Sequence, residues 1–176
     1  DEFCRTVDRI SAAVREEEAA LPPGQYISPV GYFLLIALDW YRRQGADYLV
    51  LECGRGARWD DVGRVASRVA VVTSVLNEHA DTLGPTLADI AHDKFSVVGN
   101  SEIIVASSGS LAKASDFDRS IAEEVRQPEA TGGVPRWIGE CRALAQRAAE
   151  RLLSLAPGAL GRNELRVTSA SFGQGK

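Results

Sequence analysis

An α/β fold with a mostly parallel sheet flanked by helices is what the sequence predicts, on three observations. Short apolar runs without polar alternation recur at Tyr48–Cys53, Val69–Val75 and Glu102–Ala106, the pattern of strands covered on both faces. Segments with apolar residues three to four apart lie around and between them, which is the alternation that builds parallel sheets. Each run stops at a polar or glycine-rich turn, and Glu52, Arg58, Asp60, Glu78, His79, Asp81, Asp93 and Lys94 sit at or after those stops. In an open α/β sheet, ligands gather beyond the carboxyl ends of the strands.

Taken in order, Asp1 to about Glu18 reads as an amphipathic helix, with Phe3, Val7, Ile10, Ala13 and Val14 on one side. The prolines and glycine of Leu21–Pro29 make a loop, and Val30–Arg43 is a second, more apolar helix stopped at Gly45. Tyr48–Cys53 is expected to be a strand, followed by the turn Gly54–Arg58 and a helical turn from Trp59. After the strand Val69–Val75, a helix is expected over Pro85–Phe95, with proline at its first position. The strand Glu102–Ala106 stops at Ser107–Ser110, and Leu111–Val125 reads as a helix. Beyond the loop Gln127–Pro135, Trp137–Leu155 reads as a helix with Ile138, Cys141, Ala145, Ala148, Ala149 and Leu152 inward. Glu164–Ser169 is the last expected strand.

The 176 residues suffice for one buried core, so a single α/β domain over residues 1–176 is expected. A net charge of −4 gives no broad basic surface and argues against nucleic acid and anionic membranes as partners. Cys4, Cys53 and Cys141 form no CxxC pair, which favours reduced thiols and a cytoplasmic setting over a disulfide framework. Tyr32–Tyr41 is too short for a bilayer and carries Asp39. The chain starts at Asp1 and has no methionine, so it is expected to be part of a longer polypeptide.

Glu52 closes an otherwise apolar run, and a carboxylate there needs a cation or hydrogen-bond donors. Pairing with Arg58 or a backbone amide accounts for it as well as a functional role does. The turn GRGAR can bring backbone N–H groups to an anion, though two glycines alone are a weak signal. Taken singly, His79 reads as a solvated loop histidine, and His92, Asp93 and Lys94 as residues on a solvated helix face.

Together these residues resemble a family. ECGRGARWDD, followed by TSVLNEHADTLGPTLADIAHDKFSVV, is similar to the central, P-loop NTPase-like ATPase domain of the Mur ligase superfamily, in its folylpolyglutamate synthase branch. The resemblance rests on Glu52, Gly54, Gly56, Arg58 and Asp60, on Thr73–Ser74, on Glu78–His79, on Leu83–Gly84–Pro85–Thr86–Leu87 and on Asp93–Lys94, across about fifty residues. It implies that Glu52, His79 and Lys94 ligate magnesium, with Lys94 carried as a carbamate. Lys94 and His79 would be catalytic, Arg58 and Asp60 would bind substrate, and Gly54, Gly56 and Arg162 would face ATP, the last within a turn formed by Gly161–Arg162 and Glu164. The ligand types alone leave zinc and manganese open. The implied reaction transfers a phosphoryl group from ATP to a small-molecule carboxylate, and an amine, normally that of an amino acid such as glutamate, then attacks the acyl phosphate to form an amide.

The sequence departs from the family pattern in several places. The family's nucleotide site begins with a phosphate loop ending in Gly-Lys-Ser/Thr. GQGK at Gly173–Lys176 lacks that pattern and position, so the loop either precedes Asp1 or is missing. The family's C-terminal domain has no counterpart here. Glu78 stands where the family has Asp, Gly63 where an asparagine is common, and Ile138 and Cys141 where a glutamine and an asparagine face adenine. The alternative to a ligase is therefore a non-catalytic relative that acts with a protein partner.

Overall fold

A computed structural model describes residues 1–97, 101–118, 120, 122–126 and 135–155, and divides the chain into two compact units. The first is Asp1–Cys53, and the second begins at Gly54.

In the first unit, helix α1 (Glu2–Ala20) starts where the Asp1 side chain accepts the Cys4 N–H, an N-cap that satisfies one of the free amides of the first turn. Helix α2 (Pro29–Arg43) is capped by Ser28, with proline at its first position. It ends in a Schellman motif, with Gly45 N–H donating to Arg42 C=O and Ala46 N–H to Tyr41 C=O around the positive φ of Gly45. The Phe3 and Trp40 rings meet edge to face at 5.4 Å, Arg9 pairs with Asp39, Ser11 bonds Tyr32, and Glu18 accepts the Ile27 N–H. Partner numbers fall as those of α1 rise, so the two helices run antiparallel.

Tyr48–Cys53 is not a strand: among the described residues it joins no ladder, and Val50 is 91% exposed. An apolar run marks a segment able to enter a sheet, but a parallel strand exists only where a neighbour takes up its N–H and C=O groups.

The second unit carries a three-stranded parallel sheet in the order β1 (Ser67–Val72), β2 (Ser101–Ser107), β3 (Ala122–Val125). A 3₁₀ turn at Val62–Arg64 leads into it, in place of a helical turn from Trp59. Helix α3 (Ala80–Leu83) is a single turn, and α4 (Leu87–Phe95) follows it. Helix α5 (Ser108–Leu111) caps the end of β2, and α6 (Arg136–Ser154) closes the described chain. The parallel sheet flanked by helices agrees with the fold class the sequence predicts.

Side chains of neighbouring strand residues alternate between faces. Ala70, Val72, Ile104 and Ala106 point to one face and pack with Ile90, Ala91 and Phe95 of α4 and with Val75. Val71, Val105 and Glu123 are in register on the other face, where the Glu123 carboxylate pairs with Arg147 and Arg151 of α6. The sheet is thus sandwiched between α4 and α6.

Three expectations change. β1 ends at Val72 rather than Val75 because Ser110 takes over from the ladder, its hydroxyl bonding Thr73 C=O and accepting the Val75 N–H. Leu111–Val125 is not one helix: the chain turns after α5 and Ala122–Val125 pairs with β2. The acidic AEEV segment has little intrinsic preference for a strand, and its ladder and the Glu123 ion pairs decide the outcome. On α6 the buried positions are Glu140 and Leu144, one residue before the expected face, and Cys141, Ala145 and Ala149 are exposed. The expected strand at Glu164–Ser169 lies outside the described residues. No helix among the described residues is long and apolar enough to cross a membrane.

Asp39 provides a test of the helix pair. Burial alone would raise its pKa, but hydrogen bonds from Arg9, Arg43 and Arg42 outweigh that and hold the carboxyl well below the usual carboxylate range. Its contribution is therefore complete above about pH 4 and is lost as pH falls towards the folded value. Asp39→Asn is expected to lower the unfolding free energy by about 1–2 kcal/mol at pH 7, measured by urea denaturation, with the gap to wild type narrowing below pH 4.

Candidate functional site

The glycine-rich turn after Cys53 is held by two carboxylates. Asp60 accepts the Gly54 N–H and the Val62 N–H, both at 2.8 Å, one on each oxygen. Asp93, reaching from α4, accepts the Ala57 N–H at 2.9 Å and the Arg58 N–H at 3.4 Å on Oδ1. Asp93 is only 4% exposed, which corrects its reading as a solvated helix residue. The reason is polar satisfaction: the buried Ala57 amide needs an acceptor, and the carboxylate needs donors.

Gly56 is what allows this approach. Its φ of +65° lies in the left-handed region, and a Cβ there would stand 1.9 Å from Asp93 Oδ1 and 2.8 Å from Leu83 Cδ2. The sequence suggested that GRGAR offers its amides to an outside anion. In the structure Gly54, Ala57 and Arg58 already donate to carboxylates of the chain, so Gly54 and Gly56 shape the turn rather than leave those amides open.

Arg58 and Trp59 lie on the exposed side of the turn, with the guanidinium 5.1 Å from the indole centroid. They line a cavity of about 400 Å³ together with Leu83, Asp89, His92 and Asp93. Of the expected substrate residues, Arg58 faces this cavity, whereas both oxygens of Asp60 are engaged in the turn.

The chain beyond β1 is held to the same helix. Thr86 and Asp89 form a capping box that starts α4 at Leu87, two residues after the expected proline start. One turn further on, Lys94 donates to Glu78 Oε1 at 2.8 Å, and its side chain is 20% exposed. It is therefore not simply solvated. The hydrogen bond from Lys94, followed by its charge, holds the Glu78 carboxyl below its usual range. His79, next in sequence, has φ +54° and is exposed. Consecutive residues of α4 thus reach different loops: Asp93 binds the glycine-rich turn and Lys94 binds the turn at Glu78–His79.

Glu52 is exposed on the irregular Tyr48–Cys53 segment of the first unit. Among the described residues, no group of three or more His, Cys, Asp or Glu side chains is placed to hold a metal. Lys94 as an ammonium bonded to Glu78 would repel a cation from the space beside them. Arg162 lies outside the described residues. At the expected adenine positions, Ile138 is half-buried and Cys141 exposed on α6.

Two features escaped the sequence reading. The buried pair Ser107–Ser110 fastens the ends of β1 and β2, and Lys113 Nζ donates to Val75 C=O at 2.6 Å. The SSGS cluster was the available signal, but it reads only as a polar stop without the neighbouring strand.

No family model matches the chain. It is 40% identical over 63 residues to the dihydrofolate synthase/folylpolyglutamate synthase of Escherichia coli, a match covering 36% of this chain and 15% of that protein. A probable bifunctional folylpolyglutamate synthase/dihydropteroate synthase of Halobacterium salinarum is 40% identical over 73 residues, covering 40% of this chain and 9% of its own length. The apo form of L. casei FPGS superposes with a TM-score of 0.68 at 17% identity over 86% of this chain and 44% of that one. An FPGS–AMPPCP complex gives 0.67 at 17% identity over 86% and 45%. The chain therefore spans less than half the length of the proteins it matches. It resembles the folylpolyglutamate and dihydrofolate synthases in sequence and has the α/β fold of their structures.

The geometry of the turn leads to a direct test. Gly56→Ala combines an unfavourable φ with a clash against Asp93, and is expected to cost about 2–4 kcal/mol of stability by urea denaturation.

Proposed function

We propose that the chain is part of an ATP- and magnesium-dependent ligase that joins a small-molecule carboxylate to an amino acid, as the names of its relatives suggest for folyl substrates and glutamate. The observation that carries this reading is the convergence on α4. The helix binds the turn bearing Arg58 through Asp93 and the turn bearing His79 through Lys94. Two loops following successive segments are thereby brought to one helix, as a site assembled from loops requires.

In this reading Glu52, His79 and Lys94 hold magnesium, with Lys94 as a carbamate. Magnesium held there would supply positive charge to offset that developing on phosphate oxygens during transfer. Arg58, at the rim of the cavity and with its guanidinium free to form paired hydrogen bonds, orients the substrate carboxylate, and Asp60 keeps the turn in the shape that presents it. Gly54 and Gly56 give the turn its close approach, and Arg162 meets the phosphates. The protein's contribution is mainly placement of charge and reactants. The cytoplasm is the proposed setting, consistent with three free cysteines.

Calorimetry with the full-length polypeptide tests the reading, using a non-hydrolysable ATP analogue with and without magnesium. Wild type is expected to bind, and Glu52→Gln to weaken binding roughly tenfold only when magnesium is present. Absence of binding by the folded full-length protein would overturn the ligase and favour the non-catalytic relative with a protein partner.

A further inference from the structure

We propose that Asp93 is the positioning residue for Arg58, and that α4 thereby sets the spacing between the substrate-orienting turn and Lys94. The assignment of Arg58 to substrate rests on the proposed function; the positioning of the turn does not.

Several observations carry this inference. Asp93 is almost completely buried, yet one of its oxygens reaches across to two successive amides of the turn, those of Ala57 and Arg58. The Arg58 amide is the donor nearest the side chain that must be aimed. A Cβ at Gly56 would stand 1.9 Å from that oxygen, so the turn is shaped around the carboxylate. Asp93 also lines the cavity that Arg58 and Trp59 line. Asp93 and Lys94 are adjacent on a short helix fixed at its start by a capping box and in its interior by Ile90, Ala91 and Phe95. A displacement of α4 therefore moves both anchors together, whereas loss of the Asp93 oxygen frees the turn alone. A misplacement of about 1 Å in an orienting group is enough to lower kcat/KM up to about a hundredfold, and for a group that holds the substrate carboxylate in the ground state the loss falls on KM.

Trp59 lies next to Arg58 and contacts its guanidinium, so it reports on the turn directly. In the full-length polypeptide, labelling with 5-fluorotryptophan gives Trp40, Trp59 and Trp137 one fluorine signal each, and Trp40→Phe, Trp59→Phe and Trp137→Phe assign them. In Asp93→Ala the Trp59 signal is expected to shift and broaden while Trp40 and Trp137 stay in place. Asp93→Asn keeps an Oδ1 acceptor and is expected to restore the wild-type position. An unmoved Trp59 signal in folded Asp93→Ala overturns the proposal. If Asp93→Ala does not fold, Asp93→Asn decides: Trp59 at its wild-type position supports the hydrogen-bonded oxygen as the anchor, and a displaced Trp59 overturns it.

The functional consequence is read separately in the full-length polypeptide. With folate as the probe carboxylate, Asp93→Ala is expected to raise KM about tenfold or more and to leave binding of the ATP analogue within about twofold, with Asp93→Asn largely restoring KM. An unchanged KM in a folded, active Asp93→Ala enzyme refutes the link to substrate. A wild-type protein that binds no nucleotide defeats the ligase reading and leaves the fluorine result intact.

Discussion

The second unit depends on the hydrogen bonds that a buried carboxylate on α4 makes to the glycine-rich turn. A turn of this kind has several amides and little side-chain bulk with which to cover them. If buried without acceptors, each such amide costs on the order of 1–3 kcal/mol. Asp93 supplies an acceptor for Ala57 and Arg58, and Asp60 supplies acceptors for Gly54 and Val62. The conformation of the turn is fixed by these four contacts and by the absence of a side chain at Gly56. Because one of the two carboxylates belongs to a helix packed in the core, the turn takes its position from the core rather than from its own residues.

The same helix lies against one face of the sheet, and α6 lies against the other. Ile90 and Phe95 meet Ile104 and Ala106, while Arg147 and Arg151 hold Glu123 at the edge strand. Beyond the strand ends, Ser110 and Lys113 take up backbone groups at Thr73 and Val75 that the ladder no longer serves. The chain from Thr73 to His79 therefore leaves the sheet with its polar groups held, and delivers Glu78 to Lys94.

Much of this was legible in the sequence, and the failures have definite causes. The apolar runs at Val69 and Glu102 identified two strands: β2 ends in four buried residues, and β1 buries Ala70 and Val72 against α4 while Val71 on its other face stays 41% exposed. The same signal at Tyr48–Cys53 gave a strand that the structure lacks, since hydrophobicity measures fitness for burial and not the presence of a partner. AEEV was missed for the converse reason: its strand is created by pairing with β2 and by two arginines that lie twenty-four and twenty-eight residues after Glu123 in sequence. Within the site, the glycines and Lys94 stood out through their resemblance to a motif. Asp93 belongs to that motif, but taken alone it reads as a solvated helix residue. Its two amide partners lie thirty-five and thirty-six residues earlier, and no local spacing reveals them.

The pairing of Lys94 with Glu78 constrains how the proposed metal set can form. As an ammonium, Lys94 attracts the Glu78 carboxylate at 2.8 Å and excludes a cation from the same space. As a carbamate it would repel that carboxylate, and two anions at such a separation need a positive charge between or beside them. In the proposed function the carbamate and the metal would thus be coupled: either one alone would leave an unbalanced charge next to Glu78, and both together would replace the present ion pair. Glu78 would be able to turn towards solvent if Lys94 were a carbamate, since its side chain is already 43% exposed. Consequently the observed ion pair competes with the liganding role proposed for Lys94, which would require that pair to be broken.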